Sequence, residues 1–202
     1  MRLGSQLCKA GSLVSLRCGG VQAKEVASSI PLLVSLGGWP EAIAPKVHPQ
    51  YVTTFVSNFQ SAVFESLGRY DEAVTAAETD INNWQQVHAP LLTQSYTAVG
   101  RCKAKLGRIN EAVVAFIAAI DEARRYELPF LEMLAHRDYM VNVLNGQGRC
   151  CDDTFERAMV ALGECISRMV LPPEEYSAVL GADIDAVAAV AAFKASLEDR
   201  TI

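Results

Sequence analysis

Two octapeptides, LGRYDEAV at 67–74 and LGRINEAV at 106–113, agree at six of eight positions, and a looser copy, LGGWPEAI, stands at 36–43. A phrase of this kind constrains the fold because each of its residues does one thing at a helix corner. Leu106 ends a helix. Gly107 takes the left-handed conformation that closes a helix with little steric penalty. Arg108 and Ile109 make the turn, and Asn110 is placed to cap the next helix. Glu111 sits favourably near that helix's positive end. Ala112 is small, so the second helix can approach the first closely. The phrase therefore predicts a helix–turn–helix corner with a positive φ at Gly107, and its repetition predicts a stack of antiparallel helix pairs. The glycines set the period: Gly68 to Gly107 is 107 − 68 = 39 residues, and Gly37 to Gly68 is 68 − 37 = 31.

Helical periodicity runs through the intervening chain. Ala112, Phe116, Ala119, Ile120 and Ala123 form one stripe at steps of three and four. Ala73, Ala77, Ile81 and Trp84 form another. Phe155, Ala158, Met159, Leu162, Cys165, Ile166 and Met169 form a third, with Asp152 or Asp153 placed to cap it. The run Tyr51–Val56 has strand-favouring residues, but it flows into Phe59, Ala62, Val63 and Leu67 at helical spacing and reads as a helix start. Gly and Pro breaks recur every 12–20 residues or so, a helix length. The expected fold is all-α, an α-solenoid of about nine or ten helices. Residues 1–22 read as a basic arm, 23–170 as helical repeats, and 171–202 as a C-terminal cap or docking segment. In the last segment Ile184, Val187, Ala188, Ala191 and Ala195 make one apolar stripe, and Val190, Phe193 and Leu197 make a second face.

Composition narrows the function classes. Half of the 202 residues are apolar, enough for a large core and for a surface covered by a partner. The net charge is −5 and no Lys/Arg run exceeds the pair Arg124-Arg125, which argues against a nucleic-acid binder. No stretch has the length of a membrane span. The six cysteines, Cys8, Cys18, Cys102, Cys150, Cys151 and Cys165, show neither a disulfide framework nor zinc-ligand spacing. That usage suits a reducing compartment, with the cytoplasm as the expected location. Residues 1–24 are basic and Ser-containing with no acid, which suits organelle import as the alternative.

The stretch 90–126 resembles a tetratricopeptide (TPR) repeat. Tyr96, Val99, Gly100 and Cys102 match the first helix of that family; Gly107, Ile109, Ala112, Phe116 and Ala119 match its turn and second helix. In 51–87 Gly68, Tyr70 and Ala73 fit, and Ser61 replaces the small glycine. Stretch 23–49 offers Gly37, Trp39 and Ala42; in 128–169 Gly148 stands at the turn and Asp153 where Ala is expected. Lys103 departs from the family's aromatic, and Pro90 and Pro129 close their helices late. The resemblance implies a non-catalytic scaffold, adaptor or assembly factor that binds a protein segment in a groove lined by first helices. Carried over, the groove residues are Asn58 and Glu65, then Gln94, Thr97, Arg101 and Lys105. Arg101 and Lys105, four apart, would favour an acidic or carboxylate-ended partner. Thr97 and Arg101 stand where chaperone-binding members carry their carboxylate clamp, so binding to heat-shock chaperone tails is not expected.

Two other classes compete: a structural subunit held permanently in a large complex, and a helical enzyme without a recognisable motif. None of GxGxxG, P-loop, HExxH, GxSxG or EF-hand occurs, and neither a cofactor nor a metal is expected. His136-Arg137-Asp138 superficially matches a kinase catalytic loop, but its companion motifs are missing. The three residues read instead as the polar side of a helix, with Glu132 and His136 paired one turn apart.

Overall fold

The computed structural model describes residues 58, 60–84, 89–145 and 153–199, and all its regular structure is helical. Eight helices follow in order: α1 (60–66), α2 (Tyr70–Trp84), α3 (Ala89–Lys105), α4 (Ile109–Arg125), α5 (Pro129–Tyr139), α6 (Asp153–Ser167), α7 (Ser177–Leu180) and α8 (Ala186–Glu198). A π-helical turn, Met140–Leu144, extends α5, and a 3-10 turn, Pro173–Tyr176, leads into α7. Consecutive helices pack on one another from α2 to α6; α3 also touches α5, and α8 lies on α6. The run Tyr51–Val56, the stretch 23–49 and Cys150-Cys151 lie outside the described residues, as do Trp39, Asp152 and Gly148.

Both copies of the octapeptide are helix corners of one geometry. Gly68 has φ +73° and Gly107 φ +75°. At the first, Gly68 N–H donates to Glu65 O (3.1 Å) and Arg69 N–H to Phe64 O (2.9 Å); at the second, Gly107 N–H donates to Ala104 O (3.0 Å) and Arg108 N–H to Lys103 O (2.9 Å). This pair of bonds is the Schellman closure, which satisfies two carbonyls of the last turn. A third corner has the same bonds, Glu127 N–H to Arg124 O (3.1 Å) and Leu128 N–H to Ala123 O (2.9 Å). There Glu127 takes the left-handed conformation, φ +54°, and Pro129 starts the next helix, where its missing N–H goes unused. The corner is shorter than the sequence predicts. α4 begins at Ile109, its cap residue Arg108 makes no side-chain cap bond, and Asn110 is an exposed first-turn residue, not the cap.

Close packing explains the small residues. Ala112 and Ala73, equivalent in the two copies, are fully buried. A Cβ on Gly100 would stand 2.8 Å from the Phe116 ring, so the glycine makes room for that ring between α3 and α4. The equivalent positions 39 residues earlier are Ser61 and Ala77, both buried: a larger first residue goes with a smaller second one. The Ser61 hydroxyl also donates to Ala73 O (3.0 Å), tying α1 to α2.

The main core joins Ala112 and Phe116 of α4, Met133 of α5, Met140 and Leu144 of its extension, Leu162, Cys165 and Ile166 of α6, and Ile184, Ala186, Ala189 and Val190 around α8. The stripes read from the sequence on α4 and α6 face inward, as do Ala73, Ala77 and Ile81 of α2. Of the first stripe assigned to the last helix, Ile184, just ahead of α8, is buried, but Val187, Ala188, Ala191 and Ala195 are exposed, while Ala186, Ala189 and Val190 are buried. Gly163 sets that choice. A Cβ there would lie 2.0 Å from Ala189 O, so α8 seats its backbone at Ala189 directly on the glycine. Asp185 fixes the entry by accepting from Val187 N–H (2.8 Å) and Ala188 N–H (3.1 Å).

Candidate functional site

The six groove residues carried over from the repeat family divide. Gln94 and Lys105 are exposed, and Asn58 and Glu65 are partly buried. Thr97 is buried, its hydroxyl donating to Thr93 O at 2.8 Å. Arg101 is committed internally. Its Nε and Nη2 donate to the two oxygens of Glu65 (2.7 and 2.8 Å), and its Nη1 to Asp138 Oδ2 (2.8 Å). The expected free polar face therefore fails at Thr97 and Arg101. The reason is packing: Arg101 of α3 is the cation between two carboxylates, Glu65 of α1 and Asp138 of α5. The ladder continues through Arg137, which donates from Nε to Asp138 Oδ1 (2.7 Å) and from Nη1 to Val179 O (2.8 Å). One polar chain thus joins α1, α3, α5 and α7.

His136, Arg137 and Asp138 are not the polar side of a helix either. Glu132, His136 and Asp138 are buried, with Glu132 only 1% exposed. Arginines from neighbouring elements make that burial tolerable. Arg124 Nε donates to Glu132 Oε1 at 2.6 Å, and Arg168 donates to Oε2. Burial alone would raise the Glu132 carboxyl, but its hydrogen-bonding surroundings outweigh burial and hold it at about 2. His136 Nε2 lies 3.9 Å from the carboxylate, beyond hydrogen-bond reach, so the direct bonds in these surroundings come from Arg124 and Arg168. Burial, and next the Glu132 charge, push the Cys165 thiol up to about 12, which keeps it protonated and poorly nucleophilic at neutral pH.

A carboxyl held at about 2 against an ordinary 4.5 stabilises the fold above its unfolded pKa and loses that contribution as the pH falls through the native value. Half-exposed arginines screen the pairing, so the loss between about pH 5 and pH 2 is on the order of 2 kcal/mol. Glu132→Gln removes this part of the acid limb in urea titrations run across that range. An acid limb identical to the parent's contradicts the assignment.

The other face of the stack differs in character. A cleft of about 290 Å³ opens between α2, α3 and α4, lined by Ile81, Tyr96, Val99, Ala115 and Ala118 together with Glu78, Asn82, Lys103 and Glu111. Lys103, the departure from the family's aromatic, bridges Glu78 (3.1 Å) and Glu111 (3.2 Å) and so ties α2 to α4. Val114 also lines the cleft. It is 68% exposed, and Ile117, one turn further along α4, is 51% exposed. Sequence periodicity held the signal: Val114 and Ile117 fall off the buried stripe of α4, on a helix that presents apolar residues to both sides.

No protein-family model matches this chain, and neither does any curated protein or solved structure. No described helix is long and apolar enough to cross a membrane.

Proposed function

We propose that the chain is a non-catalytic protein–protein interaction module, an α-solenoid of TPR-like helix pairs, that binds a protein segment across the α4 face. The observation that carries this reading is the exposure of Val114 and Ile117, 68% and 51%, beside a partly apolar cleft. Two large aliphatic side chains one turn apart, next to a concavity, suit the apolar face of a partner helix or strand. An acidic partner was expected from Arg101 and Lys105, and Arg101 is already paired with Glu65 and Asp138.

The test is a paired capture experiment from native cells. Val114→Asp/Ile117→Asp leaves folding nearly intact, since exposed substitutions cost within about 0.5 kcal/mol each. It lowers recovery of the partner at least about tenfold, the loss of roughly one buried aliphatic contact, whereas Lys105→Glu does not. A double variant that recovers the same proteins in the same amounts sinks the proposal. The second reading, a permanent subunit of a large complex, draws on the same exposure together with Val170 and Leu171, 99% and 56% exposed. Self-association or aggregation of the isolated chain during size exclusion favours it.

A further inference from the structure

Where α5 meets α6, three metal-ligating side chains converge and one of them is unsatisfied. Glu132 and His136, one turn apart on α5, and Cys165 on α6 bring a carboxylate oxygen, an imidazole nitrogen and a thiol sulfur within 4.8 Å of one another. All three residues are buried. His136 is the decisive member. Its side chain is 8% exposed, and neither ring nitrogen has a hydrogen-bond partner. Buried polar atoms are nearly always satisfied, and both nitrogens of this imidazole stand open beside a thiol and a carboxylate.

We propose that Glu132, His136 and Cys165 hold a divalent cation of the zinc class that staples α5 to α6. The mixed O, N, S set selects that class. Zn²⁺ accepts all three donors, whereas Ca²⁺ and Mg²⁺ demand mostly oxygen and more of it. Bond lengths of about 2.0–2.3 Å in a tetrahedron put ligand atoms roughly 3.3–3.8 Å apart. Donors now within 4.8 Å therefore close by about 1 Å, a movement that side-chain rotation supplies. Water takes the fourth position. Arg124 and Arg168 hold the Glu132 oxygens, and their side chains are 46% and 41% exposed. Each can swing into solvent and leave the carboxylate to the ion. Cys165 binds as thiolate, so its proton leaves to solvent as the ion enters.

The experiment uses the full chain with Co²⁺ as a spectroscopic probe and Zn²⁺ as competitor. The parent develops a thiolate-to-cobalt charge-transfer band with the intense visible bands of a tetrahedral ion, and Zn²⁺ abolishes them. Cys165→Ser loses the charge-transfer band, while Cys150→Ser/Cys151→Ser keeps it. His136→Ala weakens binding at least about a hundredfold, the upper range for residues that only support a ligand. Zn²⁺ raises the melting midpoint of the parent and not of His136→Ala, a readout that stands even if Cys165→Ser folds poorly. A parent chain with no charge-transfer band, or a band that survives Cys165→Ser, overturns the proposal.

Discussion

Arg101→Glu is expected to destabilise the fold by about 4 kcal/mol, the scale of breaking a buried ion pair by removing one partner. The substitution puts a third carboxylate between Glu65 and Asp138, whose side chains are 21% and 6% exposed. Nothing else in the ladder replaces the lost cation at that spot, because Arg137 lies on the other oxygen of Asp138. Native domains have only about 5–15 kcal/mol in total, so the variant melts far earlier or fails to fold. Lys105→Glu, four residues on and exposed, should shift stability by no more than about 0.5 kcal/mol. Urea midpoints of the two variants measure the contrast. Equal midpoints would mean that Arg101 is a surface residue, as the sequence alone suggests.

Gly163→Leu carries the next largest effect. Any Cβ at 163 meets the Ala189 carbonyl, with O at 2.0 Å and C at 2.5 Å. Those atoms are backbone, so no rotamer change relieves the clash, and α8 must lift from α6. Overpacking a core costs about 1–3 kcal/mol where side chains can adjust; with backbone in the way the cost is about 3 kcal/mol or more. The expected signature is local: the link between α6 and α8, residues 171–185, becomes a protease-sensitive site and the melting midpoint drops. Gly100→Ala is the milder comparison, because its Cβ would meet the ring of Phe116, a side chain with some freedom to turn. If Gly163→Leu resists proteolysis like the parent, α8 does not dock through Ala189.

What the sequence disclosed and what it hid follow one physical rule. Local chemistry was readable. The corners at Gly68 and Gly107, and the buried stripes of α4 and α6, follow from residues within one or two turns of each other. The corner at Glu127 was not, because a glutamate at positive φ leaves no mark in composition; only Pro129 hinted at it. The inner face of α8 was ambiguous because alanine lies on every side, and the decision came from Gly163 on another helix. The polar ladder was hidden by distance in the chain: Arg101 reaches Glu65 36 residues back and Asp138 37 residues ahead. Arg101 and Lys105 share a face by spacing, but spacing does not reveal that one of them is claimed by other helices. Glu132 and His136 were a visible pair, while Cys165 joins them from 165 − 136 = 29 residues further on.

The functional account rests on the α4 face, and site-specific photocrosslinking in native cells tests it most directly. A photoreactive residue placed at 114, and in separate chains at 94 and 105, reports which surface a partner covers. The account predicts a discrete protein adduct from position 114 that disappears when Ile117→Asp is added, with none from 94 or 105. Adducts from 94 or 105 and none from 114 would return the binding surface to the groove predicted from the sequence and contradict the account.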